Sequence, residues 1–525
     1  MDSNICVYSF SPFGYEGSLV TVEVDLRRGI PAVDIVGLAD GAVKESRERM
    51  RSAIINSGYD FPCERVLISL SPSDLKKEGA GFDLPLALAV LIKSRQGEFN
   101  FLNEKILIMG ELELNGKLRP VRAVHAAAAT AFAAGIGMCI VPAENAEEAR
   151  EAGSMKVFGA SNLTEAFEAL SCSKMFTGKS RDYLNDKKAG IPQGAVEKHG
   201  ILFAPVEEGY EYSEVKNQKK LVRALQVAAA GGHNLLAYGS PGCGKTLSLQ
   251  KFPALLPLLT AEESSSVTRI HSIAGLLAKG SSIIRKPVFR QPHQTASIEG
   301  ICGGGCQCRP GEISLAHNGV LFLDEAAEFR SSVLQMLRVP LESRSITISR
   351  AGRSTIFPAS FQLLMSANPC PCGNYGSKDK ICLCSSRSVE QYWKKFSAPL
   401  LDRIDIRIRV DSSPSADNME EKAMTTDQLR EDIGKAVALQ RKRQGKKNAL
   451  LSPEETARYC ITSSDAKKVL DKASEKYEFS PRAASGCLKL ARTIADMKEK
   501  DIIDGEAMTE AVSLRKNENT ISLML

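Results

Sequence analysis

Residues 239–246 have the types and spacing of a phosphate-binding loop, G-x-x-x-x-G-K-T. Glycines let the backbone curl so that its N–H groups face phosphate oxygens, and the lysine ammonium reaches the terminal phosphates. The threonine hydroxyl is predicted to bind Mg²⁺. Residues 234–238 precede the loop as a short apolar strand, and a helix opens after it. The predicted nucleotide-binding residues of the loop are Gly239, Ser240, Pro241, Gly242, Cys243, Gly244, Lys245 and Thr246.

A second phosphate-site element lies at residues 320–325, an apolar run that ends in two acids. A buried strand would present both carboxylates at its carboxyl-terminal tip. Asp324 is predicted to hold the Mg²⁺ of the nucleotide, through water, and Glu325 to polarise the attacking water. The alternative is a core strand followed by an acidic helix cap, which the upstream loop makes the less favoured interpretation. Together the two elements predict hydrolysis of ATP with Mg²⁺.

Three polar residues downstream have the order expected around a hydrolysed nucleotide. Asn368 ends an apolar strand, where its amide would contact the attacking water or the γ-phosphate. Arg403 follows a predicted helix, and in a ring of subunits it would enter the neighbouring site and neutralise transition-state charge. Arg482 lies near a helix start and would sense bound nucleotide. Taken singly, such residues are more often surface residues, so the prediction depends on their order behind the two phosphate-site elements.

Fourteen cysteines in a chain without a visible export signal favour thiols or metal ligands over disulfides. Four of them form two C-x-C pairs separated by nine residues, a set that suits a structural, tetrahedral Zn²⁺, with free thiols as the alternative. The predicted zinc ligands are Cys370, Cys372, Cys382 and Cys384. A second cysteine group lies in a glycine-rich segment, and there a metal is the less favoured interpretation. That group, with two histidines that would complete it, consists of Cys302, Cys306, Cys308, His293 and His317.

Residues 345–357 predict a β-hairpin that would contact DNA. Two β-rich runs flank Ala351-Gly352, and Arg350 and Arg353 bracket the turn. In a ring, such tips would line a pore and follow the phosphates of a strand. The alternative is an exposed hairpin whose arginines serve solubility. A second basic run, residues 441–447, is interpreted as a solvated helix end or loop.

The whole-chain composition is that of an ordinary globular protein, with 43% apolar residues and a formal net charge of +6. This charge excludes a global basic field, so any nucleic-acid surface must be local. No export signal opens the chain. The Ala-rich stretch 121–141 contains glycines and is ended by Pro142, which favours a helix, a break and a strand over a membrane span. We therefore expect a cytoplasmic protein with no membrane partner.

The chain divides into three blocks and a linker. Residues 1–170 alternate strand and helix patterns, with strands expected at 19–26, 33–36 and 66–70 and a helix capped by Asp40. Residues 171–205 are read as a linker because their central part is polar. Residues 206–412 contain the nucleotide motifs, and residues 413–525 are predicted to be helical. The prediction is a three-domain α/β protein with a P-loop core built on a parallel sheet and a helical C-terminal lid.

Six segments spread over all three blocks have a more specific pattern. They are residues 34–40, 311–325, 357–362, 368–373, 400–405 and 491–496. In these segments the chain resembles the magnesium chelatase-like AAA+ ATPases of the ComM/YifB family. The resemblance implies an AAA+ core and a Lon-protease-like α+β N-terminal domain. At the two positions of the Lon Ser–Lys dyad this chain has Gly81 and His125, so that domain is expected not to be a peptidase.

The resemblance also implies a function. It implies a hexameric ring that remodels DNA, as a branch-migration helicase or translocase supporting homologous recombination during natural transformation. The DNA partner would be branched or single-stranded and contacted independently of sequence. The alternative, which the chelatase relatives imply, is a protein-remodelling or metal-insertion motor without a DNA substrate.

Overall fold

The structure, a computed structural model of the chain, describes most of its residues. The described ranges are 6–77, 79–94, 105–171, 190–277, 283–305, 308–350, 353–376, 380–410 and 423–515. They form a mixed α/β protein with two sheets of five or more strands and many helices.

The N-terminal block is a seven-stranded mixed sheet covered by helices. Its strands, with a small separate pair (β6 and β7), are β1 Cys6–Ser11, β2 Ser18–Arg27, β3 Val33–Val36, β4 Arg65–Ser71, β5 Lys105–Ile108, β6 Glu111–Leu112, β7 Leu118–Arg119, β8 Met138–Pro142 and β9 Lys156–Ala160. Its helices are α1 Gly41–Asn56, α2 Asp83–Lys93, α3 Val124–Ala133, α4 Ala146–Glu151 and α5 Leu163–Ser171. The strand order is β3-β4-β2-β1-β5-β8-β9, with β1, β5, β8 and β9 parallel.

Local sequence signals account for these elements. The side chain of Asp40 accepts a hydrogen bond from the backbone N–H of Val43 at 2.8 Å, which caps α1 as predicted. The three strands expected in this block are β2, β3 and β4. The Ala-rich stretch is a helix, α3, followed by a break and the buried strand β8, also as predicted.

The core carries a five-stranded parallel sheet. The elements up to the strand that precedes Asp324 are α6 Lys219–Gly231, β12 Leu235–Gly239, α7 Lys245–Gln250, α8 Ala261–Ala274, β13 Phe289–Arg290, α9 Ile298–Cys302, β14 Gly303–Gly304, β15 Arg309–Pro310, α10 Glu312–Leu315 and β16 Val320–Leu323. The remaining elements are α11 Ser331–Met336, α12 Pro340–Ser343, β17 Ser345–Arg350, β18 Arg353–Pro358, β19 Gln362–Ala367, α13 Ser386–Lys394, α14 Ala398–Leu401 and β20 Ile406–Val410. The sheet order is β13-β16-β19-β12-β20.

This order places the two predicted phosphate-site strands on either side of β19. All the strand pairs are parallel, so the carboxyl ends of β12, β16 and β19 lie at one edge. Strand β12 begins one residue later than expected, and the side chain of Asn234, just before it, joins neighbouring segments. Its Oδ1 accepts from the Leu363 N–H at 2.9 Å and its Nδ2 donates to the Arg403 carbonyl oxygen at 3.0 Å.

The C-terminal block is helical, as predicted. Its helices are α15 Thr426–Gln444, α16 Pro453–Tyr459, α17 Ser464–Tyr477, α18 Pro481–Met497 and α19 Gly505–Arg515. One hydrophobic cluster joins it to the core, and that cluster includes Leu225, Ile433, Leu490 and Met508. The lid is therefore packed onto the core rather than tethered beside it.

The predicted linker contains two short strands in its second half. Residues 172–189 lie outside the described part of the chain, but residues 196–203 form an antiparallel pair, β10 Val196–Lys198 and β11 Ile201–Phe203. Phe203 is fully buried, and the Arg430 guanidinium of α15 lies 5.2 Å from the centre of its ring. Apolar residues Ile201 and Phe203 thus make this stretch part of the core–lid packing and not a polar connector.

Candidate functional site

The phosphate-binding loop connects the buried strand β12 to helix α7. Gly244 has a φ of 81°, in the left-handed region that favours glycine. At Gly239 a Cβ would lie 2.1 Å from the carbonyl oxygen of Val410 on the adjacent strand β20. The backbone path therefore requires glycine at both positions, which agrees with the interpretation of the motif.

The lysine of the loop lies inside the turn. Lys245 is 6% exposed, and its Nζ donates to the carbonyl oxygens of Gly239 at 2.6 Å and Ser240 at 2.9 Å. The side chain of Gln218, which precedes α6, donates to the carbonyl oxygen of Cys243 at 2.9 Å and ties the loop to the core. A cation and the curled backbone thus occupy one small volume, an arrangement that suits phosphate oxygens.

A hydrogen-bonded chain joins the two phosphate-site elements. Thr246 Oγ1 donates to Asp324 Oδ1 at 3.0 Å, across the gap between α7 and the end of β16. Ser366 Oγ, from β19, donates to the same carboxylate oxygen at 2.5 Å. The hydroxyl and the carboxylate, both oxygen ligands of the kind Mg²⁺ prefers, therefore lie together and fit the ion in chemistry and position. Sequence reasoning missed Ser366, although it is the one hydroxyl-bearing residue of strand β19.

Glu325 is held in an unusual conformation beside Asp324. Its φ is 49°, in the left-handed region that costs free energy for a residue with a side chain. Its backbone N–H donates to Ser366 Oγ at 2.9 Å, and its Oε2 accepts from Gln294 Nε2 at 2.7 Å. Gln294 follows β13, the strand next to β16. The carboxylate predicted to polarise water is thus held by an amide that the sequence interpretation did not assign to the site.

Asn368 lies at the same edge. It directly follows β19, which pairs with β16 on one side and with β12 on the other, and it is half-buried. Because carboxyl ends of parallel strands meet at one edge, Asn368 lies at the sheet edge that also carries the loop and the two acids. Its contact with the attacking water stays a prediction.

Arg403 and Arg482, the two arginines predicted at the site, both contact Glu342 in α12. Arg403 forms an ion pair with Glu342 and donates from Nη1 to the Pro399 carbonyl oxygen at 2.6 Å. Arg482 Nη2 lies 3.0 Å from Glu342 Oε1. The hydrogen bond from Arg403, with Arg482 beside it, lowers the pKa of Glu342. The nucleotide-sensing role of Arg482 stays a prediction, and the structure places this residue with Arg403.

The predicted DNA hairpin forms as β17 and β18. The antiparallel register pairs Arg350 with Arg353 at the end of the ladder, and Ser345 with Pro358 at its base. Residues 351 and 352 at the turn lie outside the described part of the chain. A loop of the N-terminal block packs against the hairpin, since a Cβ at Gly14 would lie 1.7 Å from Thr355 Oγ1.

The four predicted zinc ligands form one cluster. The Sγ atoms lie within 4.8 Å of one another, and Cys370 Sγ is 3.4 Å from that of Cys372 and 3.7 Å from that of Cys382. The Asn374 backbone N–H, together with the Cys370 and Cys384 thiols, lowers the pKa of the Cys372 thiol to about 6. Four thiols gathered in this way are a donor set for a soft or borderline metal ion.

The cysteine cluster is built against the nucleotide site. It follows β19 directly, and Trp393 Nε1 on α13 donates to the carbonyl oxygen of Pro369 at 3.0 Å. A Cβ at Gly373 would lie 2.6 Å from Pro241 of the phosphate-binding loop. The cluster therefore supports the loop from one side.

The second cysteine group is not a metal centre within the described residues. Cys302 and Cys308 are buried in an apolar cluster, and burial raises the pKa of the Cys302 thiol to about 11. Cys306 lies outside the described part of the chain. His317 Nδ1 accepts a hydrogen bond from the Ser360 backbone N–H at 3.0 Å, and its Nε2 lies 3.1 Å from Asn318 Nδ2.

Over the ranges that the structure describes, no helix combines the length and the apolar character needed to cross a bilayer.

Three family models together match most of the chain. The model described as "Magnesium chelatase, subunit ChlI" matches residues 211–418, which contain the nucleotide motifs. "Subunit ChlI of Mg-chelatase" matches residues 22–145, and "Magnesium chelatase, subunit ChlI C-terminal" matches residues 423–515.

Individual relatives agree with the family models. The competence protein ComM of Haemophilus influenzae is 36% identical over 512 residues, with 97% of each chain covered. The protein YifB of Escherichia coli, described as uncharacterised, is 37% identical over 514 residues, or 97% of this chain and 96% of its own. The magnesium-chelatase 38 kDa subunit of Rhodobacter capsulatus is 26% identical over 178 residues, which is 30% of this chain and 50% of the subunit. The chain therefore belongs to the ComM/YifB family of magnesium chelatase-like proteins.

Proposed function

We propose that the protein is an ATP-driven ring motor acting on DNA, a branch-migration helicase or translocase that supports homologous recombination during natural transformation. The family suggests an ATPase, and the name of the Haemophilus influenzae relative suggests a competence-related role. The position of the hairpin is the observation that supports the proposed action on DNA. Strand β18 ends at Pro358, and β19 begins at Gln362. Strand β19 lies between β16 and β12 and ends at the sheet edge that carries the phosphate-site residues, which we name the nucleotide edge.

The residues at the nucleotide edge have separate tasks in this proposal. The loop backbone and Lys245 bind the phosphates of ATP, and Thr246 with Asp324 would hold Mg²⁺. Bound Mg²⁺ supplies charge neutralisation on the phosphates. Glu325 accepts a proton from the attacking water, and Asn368 orients that water.

The neighbouring subunit completes the site in this proposal. Arg403 is 13% exposed and follows α14. Its carbonyl oxygen accepts from Asn234 at the start of β12, the end of that strand opposite the phosphate-binding loop. A guanidinium supplied in trans would neutralise charge that develops on the γ-phosphate. If each active site needs an arginine from the next subunit, each subunit interface forms one active site, and a closed ring completes every site. The resemblance implies that this ring is a hexamer.

The hairpin is the proposed DNA contact. Arg350 and Arg353 lie opposite each other at the turn end of the ladder. Two arginines at the tip of a narrow hairpin can contact phosphates without reading base sequence. Because β19 connects the hairpin to Asn368, a change of nucleotide state at one end of the strand can move the hairpin at the other.

We also propose that the cysteine cluster holds a structural Zn²⁺. In a tetrahedral site with Zn–S bonds of about 2.3 Å, sulfur atoms lie roughly 3.8 Å apart. The Sγ separations of 3.4, 3.5 and 3.7 Å are close to that value. The four thiols therefore fit the ion, and with four protein ligands no position is open for catalysis.

The N-terminal domain is proposed to be Lon-protease-like without peptidase activity. Gly81 has no side chain to act as nucleophile, and it lines a cavity of about 310 Å³ with Arg122 and Arg309. His125 is fully buried, and burial lowers its pKa to about 3. A group that stays neutral and inaccessible cannot act as the base of a dyad. We propose domains at residues 1–170, 206–412 and 413–525. Residues 171–205 connect the first two, and within this segment residues 196–203 pack with the core and the lid.

DNA-stimulated ATP hydrolysis and branch migration test the main proposal. Purified protein should hydrolyse ATP faster with branched or single-stranded DNA and should move a labelled four-way junction. Arg350→Glu with Arg353→Glu should weaken DNA binding and flatten its salt dependence, because fewer counterions are released. Basal hydrolysis should survive. The control is Lys468→Glu with Lys472→Glu, an equal charge change on the exposed face of α17.

The alternative is a protein-remodelling or metal-insertion motor. The sequence similarity to the magnesium-chelatase 38 kDa subunit favours it. This alternative predicts ATP hydrolysis that DNA does not change and no difference between the hairpin and control variants. Unchanged DNA affinity and unchanged salt slope in the hairpin variant would remove the hairpin from the DNA proposal.

A further inference from the structure

Ser366 is a buried hydroxyl near the end of strand β19. Its side chain is 2% exposed. Leu364, two residues before it, belongs to the hydrophobic cluster that β19 shares with α6 and α7, whereas Leu363 and Met365 belong to the cluster on the other side of the sheet. Side chains alternate along a strand, so Ser366 lies on the face that α6 and α7 cover. A hydroxyl at such a position costs free energy unless it is hydrogen-bonded, so packing alone does not account for a serine here.

The Ser366 hydroxyl joins two consecutive residues at the end of β16. Its Oγ donates to Asp324 Oδ1 at 2.5 Å and accepts from the Glu325 backbone N–H at 2.9 Å. The paired register of β16 and β19 ends with Leu323 opposite Met365, one residue before Asp324 and Ser366. The hydroxyl therefore continues the connection between the two strands beyond the last backbone pair.

The backbone at Glu325 needs such support. Its φ of 49° lies in the left-handed region, which a residue with a side chain adopts only where its surroundings fix it. Ser366 fixes the entry to this turn through the N–H of Glu325, and the Glu328 N–H closes the turn with a hydrogen bond to the Glu325 carbonyl oxygen at 2.8 Å. The direction in which the Glu325 side chain leaves the strand therefore depends in part on one hydroxyl of the neighbouring strand.

Asp324 is contacted by hydroxyls from two directions. Thr246 Oγ1, on α7, lies 3.0 Å from the same Oδ1 that Ser366 contacts. Two donors on one oxygen fix the rotation of the carboxylate, so its orientation is set before Mg²⁺ binds. Groups that hydrogen-bond to a metal ligand control its orientation, and their loss typically weakens metal binding by roughly 10–100-fold.

We infer that Ser366 is a positioning residue of the nucleotide site, which orients the Asp324 carboxylate for Mg²⁺ and holds the turn that aims Glu325. Its two hydrogen bonds lead to the acidic residues and not to the phosphate-binding loop, so binding of ATP without Mg²⁺ should not require the hydroxyl. This inference rests on the proposed ATP hydrolysis, but it requires neither DNA, the hairpin nor a ring.

The test compares nucleotide binding with and without Mg²⁺ in the full-length protein. The dissociation constant of a fluorescent, slowly hydrolysed ATP analogue is measured in excess Mg²⁺ and in EDTA. Ser366→Ala should weaken binding in Mg²⁺ by about tenfold, the lower end of the range for loss of a group that orients a metal ligand. Binding in EDTA should not change. The kcat for ATP should fall as well, because the same substitution frees the turn at Glu325.

Two further variants separate positioning from support of the fold. Ser272→Ala removes a matched hydroxyl, since Ser272 on α8 is 1% exposed and its Oγ donates to Glu148 Oε1 of the N-terminal block at 2.6 Å. It should keep the effect of Mg²⁺ while losing a comparable amount of thermal stability. Ser366→Thr retains a hydroxyl at the same strand position and should restore the effect of Mg²⁺ that the alanine variant loses.

An unchanged dissociation constant in Mg²⁺ for Ser366→Ala would overturn the inference. Equal weakening in Mg²⁺ and in EDTA would also overturn it, because the serine would then support the loop as a whole. Wild-type protein that binds no ATP would refute the proposed hydrolysis itself, so failure of this inference is distinguishable from failure of the proposed function.

Discussion

Removing one thiol from the cysteine cluster should release the proposed zinc and destabilise the core. Cys370 is the choice because it is fully buried and its Sγ lies 3.4 and 3.7 Å from two other cluster sulfurs. Cys370→Ser leaves three thiolates, and the neutral serine hydroxyl that replaces the fourth is a poor ligand for zinc. We expect wild-type protein to contain close to one zinc per chain and the variant to contain far less.

The expected size of the stability change follows from binding linkage. A metal present at 1,000 times its dissociation constant stabilises the folded state by about 4.1 kcal/mol. In a domain of about 200 residues, each kcal/mol shifts the melting temperature by roughly 2–4 °C, so the loss should be roughly 8–16 °C. Chelation of wild-type protein should lower the core transition by a similar amount, and added zinc should reverse it.

The contact between the cluster and the phosphate-binding loop adds a second readout. Gly373 is packed against Pro241, so a disordered cluster should loosen the loop and raise the KM for ATP. The control is Cys460→Ser, a buried cysteine on the lid, which should keep its zinc content and KM. Metal analysis that finds no zinc in protein prepared without chelator, with a melting temperature that chelator leaves unchanged, would refute the zinc proposal.

Four further substitutions test other parts of the site. Glu325→Gln should bind ATP and slow its hydrolysis by about 100-fold or more, since the amide cannot accept a proton from water; near-normal turnover would contradict this role. Arg403→Ala should also be nearly inactive, and mixed rings of these two variants should regain part of the activity if the arginine acts in trans. Gln294→Ala should raise hydrolysis without DNA by roughly tenfold, because it frees a carboxylate held by one charge-assisted hydrogen bond; a fall in the rate would show that Gln294 orients Glu325 for catalysis. Asp496→Asn should destabilise the lid by about 3–5 kcal/mol, measured by denaturation, because Arg492 and Arg443 both lose a buried charged partner.

The elements that local sequence patterns determine were predicted from the sequence. The loop at residues 239–246 is contiguous, and its glycines have the conformations that the motif requires. The turn between β17 and β18, the Asp40 cap of α1 and the cysteine pairs are local in the same sense. In each of these the determining residues lie within a few positions of one another, so composition and spacing contain the information.

Contacts between distant segments could not be predicted in this way. Gln294 meets Glu325, and Ser366 meets Asp324, only because β13, β16 and β19 become neighbours in the sheet. An isolated glutamine or serine has no pattern that identifies it as part of a site. The ion pair of Arg443, within the basic run at residues 441–447, was not predicted for the same reason, since its partner Asp496 lies more than fifty residues away in the sequence.

Glu342 connects two arginines that were predicted separately as site residues. Arg403 belongs to the core and Arg482 to the lid, yet both bind the same carboxylate. Ser480 Oγ, at the start of α18, also donates to Asp402 Oδ2 at 3.1 Å, one residue from Arg403. A lid that moved with nucleotide state would therefore carry the arginine that is proposed to enter the next subunit. Arg515 of α19 adds hydrogen bonds to the carbonyl oxygens of Asp402 and Ile404, at 3.0 and 3.2 Å. Coupling between neighbouring sites in the proposed ring then needs no long pathway, because these contacts connect the lid directly to the segment that carries Arg403.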